Sequence, residues 1–471
     1  MRYSIYIIAL VLVACVPAFT QRTINTQKID DYLQSEYDLN NIPGFVVTIV
    51  KNDDILFSKG YGKTSTGTVV AGDTRFAIAS LSKAFTATAI MQLVESGKIN
   101  LDSTVGYYLP SFPLKADRIT VRHLINQTSG LGDKAFQEMG FSNQPDNLEH
   151  SLARFKGVKL LSKPGEKFHY HNPNFQIAAS IVEKVTGEDF SEYLKKNIFI
   201  PLKMNSTANF ANTSEFFSKG KLANGHVSVF GYPKSKREID WFVQGAAGVI
   251  TTSNDLAHWL TMNINNGAYG IDTILSAHSI KEICTPPAGT TSQYGMGWFV
   301  YDNNKIGHGG TFWTYQAEET ILKKDSIGIL ILYNGGINIF TDPGSLRRGV
   351  ESIISGDEPE STSPPAIVYE LIVSFLTLLA IALFVRRIKR MNKWQEKFNR
   401  KSRLAKGLIF MVPLIPIIIL VFIPSIITVI SGRVLNWERT FWMMPSIVIS
   451  LAIASILNMV IVVMRVRELR R

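Results

Sequence analysis

The chain has 471 residues, of which 46% are hydrophobic, and a formal net charge of +11. This charge does not indicate a nucleic-acid partner, because it is concentrated in two short segments. Residues 386–406 contain ten Lys or Arg against one acid, and residues 465–471 contain four Arg against one Glu. The remainder of the chain therefore carries a net charge of only −1 and is long enough to form a large packed core.

The N-terminal residues 1–20 are typical of a secretory signal peptide. An early Arg2 precedes an apolar stretch from Ile5 to Val13, and small residues follow. Two alternatives stay open, namely acylation of Cys15 in a lipobox-like sequence and retention of the segment as a membrane anchor. The other cysteine is Cys284, so cleavage would leave no intrachain disulfide.

Residues 21–355 show the mixed pattern of an α+β domain. Residues 43–62 predict two strands joined by an Asn-Asp-Asp turn, and residues 326–334 predict another buried strand. Between them, residues 84–99 and 174–199 have the apolar spacing of helices. Strands at both ends with helices between them predict that the first and last segments share one sheet.

Residues 366–471 predict three transmembrane helices. A polar, proline-rich linker at 356–365 leads into apolar runs at about 368–385, 408–431 and 441–464. Because basic loops stay on the cytoplasmic side, residues 386–406 are predicted to be cytoplasmic. The large domain and the short segment 432–440 are then predicted to lie outside.

The stretch "ASLSKAFT" at residues 79–86 is the first candidate catalytic motif. It places Ser80 one helical turn before Lys83. A buried lysine loses its proton more readily than an exposed one, so Lys83 could activate the serine hydroxyl near neutral pH. Taken alone, this spacing occurs by chance in many long chains.

Two further motifs follow in order. "FHYHN" contains Tyr170 and Asn172, and "GHGGTF" contains His308, Gly309 and Gly310 immediately before Thr311. Together with the Ser-x-x-Lys motif, they resemble the serine β-lactamase and penicillin-binding-protein superfamily. The resemblance is greatest to its class C β-lactamase-like and D-alanyl-D-alanine carboxypeptidase-like branch, and covers about residues 25–350.

The resemblance implies a role for each motif residue. Ser80 is the expected nucleophile, Lys83 its base, and Tyr170 the phenol that relays a proton to the leaving group. Asn172 is expected to orient Lys83 and the substrate. The same set includes His308 and the residues that let substrate approach the strand edge or support the oxyanion hole: Gly309, Gly310 and Thr311. The implied fold is an antiparallel sheet flanked by helices, with an all-α subdomain.

Four departures from the family pattern leave the substrate open. His308 occupies the place of a lysine, and an imidazole is not a permanent cation for a substrate carboxylate. His171 replaces a small residue, and Gln127 replaces a histidine. The bulky pair Phe312–Trp313 is expected to narrow the cleft.

The expected function is that of a cell-membrane serine hydrolase with its catalytic domain outside the cytoplasm. It would act through an acyl-enzyme on a peptide or ester containing a D-amino acid, with the cell wall as one source of such substrates. A penicillin-binding sensor with little turnover and a prodrug-activating peptidase are the alternatives. The sequence indicates no metal and no other cofactor, and it leaves the oligomeric state open.

Overall fold

A computed structural model describes residues 24–114, 118–140, 143–342, 344–359 and 364–470. The predicted signal peptide and Cys15 lie outside the described residues, as does part of the predicted linker. The described part consists of a large domain, residues 24–359, and a C-terminal helical segment, residues 364–470.

The large domain contains eleven α-helices and thirteen strands among its described residues. The helices are α1 (Thr26–Asn40), α2 (Ser82–Glu95), α3 (Val105–Tyr108), α4 (Val121–Ile125), α5 (Leu148–Ala153), α6 (Pro173–Thr186), α7 (Phe190–Leu194), α8 (Thr213–Ser218), α9 (Ser253–Ile264), α10 (Ala277–Ile283) and α11 (Gly344–Ser355). The strands are β1 (Gly44–Lys51), β2 (Asp54–Gly62), β3 (Arg75–Ala77), β4 (Ala208–Asn209), β5 (Gly225–Val229), β6 (Tyr232–Lys236), β7 (Val249–Thr252), β8 (Ala268–Tyr269), β9 (Asp272–Thr273), β10 (Phe299–Val300), β11 (Lys305–Thr311), β12 (Gln316–Leu322) and β13 (Ile327–Tyr333).

The main sheet has six antiparallel strands in the order β10-β11-β12-β13-β1-β2. The predicted pairing of the first and last segments is confirmed, with Phe45 opposite Tyr333. β1 and β13 are nearly continuous apolar runs because both of their faces are covered. One face packs against α1 and α11, and the other faces the larger core that includes α2, α6 and α9.

The predicted helix at 174–199 is interrupted. Gly187 has a left-handed backbone (φ 74°), which ends α6 and which glycine adopts without steric cost. Asp189 then caps α7 by accepting from the backbone N–H groups of Ser191 and Glu192. The prediction of helical structure is confirmed, but Gly187 and Asp189 divide the segment into two helices.

The C-terminal segment contains three helices long and apolar enough to cross a membrane: Ala366–Lys389, Arg403–Ser431 and Pro445–Arg470. Its elements are α12 (Ala366–Lys389), α13 (Trp394–Asn399), α14 (Arg403–Met411), α15 (Ile415–Ser431), α16 (Trp437–Met443) and α17 (Pro445–Arg470). Both α12 and α15 pack against α17.

The third long helix begins at Pro445, four residues later than the predicted span at 441–464. Met444 has a non-helical backbone (φ −146°), and Pro445 is tolerated at the first turn of the new helix. The preceding residues 432–444, here called the helix connection, lie against the large domain.

Candidate active site

Ser80 lies in a 3₁₀ turn, Ala79–Leu81, that leads directly into α2. The preceding Ala79 has a positive φ of 47°, an uncommon conformation for a residue with a Cβ. Lys83 lies in the first turn of α2, and its Nζ is 3.0 Å from Ser80 Oγ and 2.9 Å from the carbonyl oxygen of Ala246. The predicted pair therefore meets at hydrogen-bond distance.

The environment of Lys83 favours its neutral form. The side chain is completely buried. Burial lowers the pKa of its amine well below the usual value, the positive charge of Arg433 lowers it further, and Glu138 acts in the opposite direction. A neutral amine 3.0 Å from a hydroxyl can accept its proton.

Tyr170 lies beside the same pair, with its ring centroid 5.0 Å from Lys83 Nζ. Burial raises the pKa of its phenol to about 12, while Ser80 and then Arg433 act to lower it. The phenol is therefore protonated at neutral pH and is available as a proton donor.

Asn172 precedes α6 and is also buried. Its side-chain amide donates to Glu138 Oε1 at 2.7 Å, and Gln176 donates to the other oxygen at 3.3 Å. Burial, followed by the charge of Asp133, raises the pKa of Glu138 to about 7. The resemblance implies that Asn172 orients Lys83, whereas the Lys83 amine contacts Ser80 Oγ and the carbonyl oxygen of Ala246.

Gln127 and His171, which both differ from the family pattern, form buried hydrogen bonds that the sequence did not predict. Gln127 Oε1 accepts from the backbone N–H of His171 at 3.0 Å and from Asn174 Nδ2 at 2.6 Å, which ties the Tyr170 segment to α6. His171 Nδ1 lies 2.9 Å from Asp133 Oδ1. Burial lowers the pKa of His171, so its ring is neutral at pH 7 and donates this hydrogen bond.

His308 lies on β11 and is almost completely buried. Its Nε2 is 3.2 Å from the Tyr294 hydroxyl, and its Nδ1 is 2.6 Å from the carbonyl oxygen of Gly309. Burial, and then the neighbouring Lys83, lower the pKa of His308 to about 3. The residue is therefore neutral and does not supply the cation that a lysine would place there.

The glycines of β11 allow the strand to approach its neighbours closely. A Cβ at Gly310 would lie 2.2 Å from the carbonyl oxygen of Ile78, immediately before the Ser80 turn. A Cβ at Gly309 would lie 2.6 Å from Glu318 Oε1. The strand ends at Thr311, which is exposed.

The expectation that Phe312 and Trp313 narrow the cleft is wrong. Both are buried in the hydrophobic core. Phe312 contacts Phe216 and Trp241 edge to face, and Trp313 also meets Trp241 edge to face. Their bulk is used for packing because apolar rings gain more from burial than from lining a wet cleft.

Three charged residues at the site belong to none of the predicted catalytic motifs: Asp133, Glu138 and Arg433. Arg433 belongs to the helix connection, and its Nη1 lies 3.1 and 3.0 Å from the two carboxylate oxygens of Asp133. Asp133 follows the "TSGLG" segment, which was a usable signal, but Glu138 and Arg433 lie in no motif. Within the described ranges, no cluster of three or more His, Cys, Asp or Glu could hold a metal ion.

A sequence profile of the beta-lactamase family matches residues 29–348. The chain is 28% identical over 318 residues to Protein flp of Staphylococcus aureus strain N315, covering 65% of this chain and 63% of that protein. The match therefore spans less than two thirds of that relative's length. It is also 30% identical over 290 residues to the putative penicillin-binding protein PbpX of Bacillus subtilis strain 168, covering 60% and 67% of the two chains.

Solved structures share the fold. The octameric penicillin-binding protein homologue from Pyrococcus abyssi aligns with a TM-score of 0.63 at 26% identity, covering 74% of this chain and 81% of that one. EstCE1, described as a hydrolase with promiscuous acyltransferase activity, aligns with a TM-score of 0.58 at 19% identity, over 70% and 98% of the two chains. The second likeness concerns the fold alone.

Proposed function

The chain belongs to the beta-lactamase family, and from that premise we propose that it is a membrane-anchored serine hydrolase that works through an acyl-enzyme on Ser80. The observation that carries this proposal is the 3.0 Å approach of Lys83 Nζ to Ser80 Oγ, with the lysine completely buried. Burial lowers the pKa of the Lys83 amine and so favours the neutral form that serine activation requires.

In the acylation step, Ser80 Oγ attacks the substrate carbonyl carbon and its proton passes to Lys83 Nζ. The carbonyl oxygen becomes an oxyanion, which the backbone N–H groups of Ser80 and Thr311 would stabilise. The bond to the leaving group then breaks, and the leaving group takes a proton from Tyr170, which recovers one from Lys83. Water attacks the acyl-enzyme in the second half, releases the acid and restores the Ser80 hydroxyl.

The proposed substrates are esters or peptides that contain a D-amino acid and react outside the cytoplasm. The neutral, buried His308 favours substrates that do not depend on a strand-borne cation for a terminal carboxylate. The three long apolar helices would anchor the enzyme in the membrane.

The test uses the full chain in detergent, mixed separately with an activated ester, a fluorescent penicillin and a D-alanyl-D-alanine peptide. Intact mass should show one acyl group, and ester hydrolysis should continue over many turnovers. Ser80→Ala should abolish both signals, whereas Ser96→Ala, at the other end of α2, should retain them. Hydrolysis by Ser80→Ala at the parent rate would refute the mechanism. A single acylation without turnover would instead identify a covalent sensor.

A further inference from the structure

The helix connection reaches the catalytic residues through Arg433. Its guanidinium forms an ion pair with Asp133, and its Cζ lies 5.2 Å from the centroid of the Tyr170 ring. Asp133 is in turn held by the 2.9 Å hydrogen bond from His171, the residue next to Tyr170 in the chain. The contact joins residues 300 positions apart in sequence.

A second contact fixes the same connection to the large domain. Arg439 is 1% exposed, and its guanidinium lies 4.7 Å from the Trp313 ring centroid and 5.4 Å from that of Trp241. Trp313 Nε1 donates to the Arg439 carbonyl oxygen at 2.8 Å, and Arg439 Nη2 donates to the carbonyl oxygen of Asp240 at 3.3 Å. These contacts fix Arg439 against the large domain. Because Arg433 lies only six residues before Arg439, they also hold Arg433 in place.

The chemistry of the site gives a fixed positive charge a specific use. Lys83 has to be neutral to accept a proton, and His308 is neutral as well. Arg433 is a guanidinium and remains protonated throughout the working pH range. Its positive charge opposes protonation of Lys83 and favours any negative charge that develops on the Tyr170 oxygen during proton relay.

We propose that Arg433 is a positioning residue of the active site, acting through Lys83 and Tyr170, so that the helix connection is part of the catalytic unit. This inference rests on the proposed serine-hydrolase function. It assigns the C-terminal segment a role beyond anchoring, because the charge that tunes the nucleophile's base is carried between two of the long apolar helices.

Other charged groups around Lys83 also contribute to the electrostatic potential at its amine. They determine the direction in which its pKa changes when Arg433 is replaced. The titratable and charged side chains that face the site from the surrounding elements include Asp133, Glu138, Tyr170, His171, Tyr294, His308 and Arg433. Asp133 keeps a pKa below its usual value because the bonds from His171 and Arg433 outweigh the effect of burial. Removing the Arg433 charge therefore leaves the effect of Glu138, which favours protonated Lys83, without opposition from Arg433.

The experiment measures kcat/KM for an activated ester against pH, using the full chain in detergent. Arg433→Gln should raise the pKa of Lys83. The acid limb of the kcat/KM profile should therefore shift to higher pH by about one unit. At pH values below the acid limb, kcat/KM of Arg433→Gln should be about tenfold lower than that of the parent. Arg433→Lys retains the charge and should keep the parent profile, which a purely structural contact of the guanidinium would not allow.

Glu438→Gln is the matched control, because it changes one exposed charge in the same connection. Its profile should equal that of the parent. Melting temperatures of all variants show whether they are folded. If Arg433→Gln does not fold, the double variant Asp133→Asn/Arg433→Gln also removes the buried carboxylate that Arg433 would leave unpaired. Its kcat/KM on the acid limb of the profile should still be lower than that of the parent.

The outcomes separate the two proposals. An active parent whose pH profile is unchanged in folded Arg433→Gln overturns the role of Arg433 alone. The same holds if folded Arg433→Lys loses as much activity as Arg433→Gln, or if Glu438→Gln shifts the profile equally. A parent chain whose ester hydrolysis does not depend on Ser80 overturns the proposed function and the role of Arg433 with it.

Discussion

The Lys83 amine lies 3.0 Å from the Ser80 hydroxyl oxygen, and no part of the lysine side chain reaches solvent. This pair predicts that the charge state of residue 83 controls acylation. Lys83→Ala removes the base, and Lys83→Arg replaces it with a guanidinium that stays protonated. Each should slow acylation by about 100-fold or more, measured as covalent label from a fluorescent penicillin. Lys98→Arg, an exposed change shortly after α2, is the control. Rapid labelling of Lys83→Arg would contradict the role of a neutral amine.

Tyr170 should contribute to proton transfer and little to stability. Tyr170→Phe keeps the ring that packs near Lys83 and Phe299 but removes the proton. Acylation by an activated ester should slow by about 100- to 10,000-fold, with a melting temperature close to that of the parent. Tyr107→Phe, on a ring that is 72% exposed, should leave the rate unchanged. A rate for Tyr170→Phe within a factor of two would exclude the phenol as the relay.

Glu138 should make stability depend on pH below neutrality. Because burial raises its folded-state pKa to about 7 from an ordinary 4.5, its contribution is fully present below pH 4.5 and is lost as the pH rises through about 7. The loss is roughly 3 kcal/mol over that window. Glu138→Gln should therefore show a smaller fall in melting temperature between pH 5 and 7.5 than the parent does. Exposed Glu149→Gln should behave like the parent; identical slopes for all three proteins would contradict the expectation.

The topology can be tested at the basic segment 386–406. Its ten Lys or Arg predict a cytoplasmic location. A single crossing by α12 and a return by α15 would then bring Arg433 to the same side as Asp133, as their ion pair requires. A reporter that is active only in the cytoplasm should work when fused after Lys406 and should fail when fused after Pro359. The opposite pattern would reverse the orientation of the whole chain.

Much of the candidate active site could be predicted from the sequence because its signals are local. The Ser80–Lys83 spacing is one helical turn, so forming α2 is enough to bring the two side chains together. The apolar runs of β1 and β13 similarly predicted buried strands, and their pairing across the chain was confirmed. The bulky Phe312 and Trp313 were misplaced because local sequence does not indicate which side of a strand end faces the core.

The sequence by itself determined the order of the motifs, the α+β arrangement and the three long apolar segments, because each depends on neighbours within one or two turns or on a simple periodicity. Only the tertiary structure decided the charge environment of Ser80 and Lys83. The ion pair of Arg433 with Asp133 spans 300 positions, and the burial that lowers the pKa of Lys83 and of His308 comes from elements distributed along the chain. Electrostatic effects of this kind depend on distance and solvent exclusion in the folded molecule, and neither quantity is encoded in the spacing of residues along the chain.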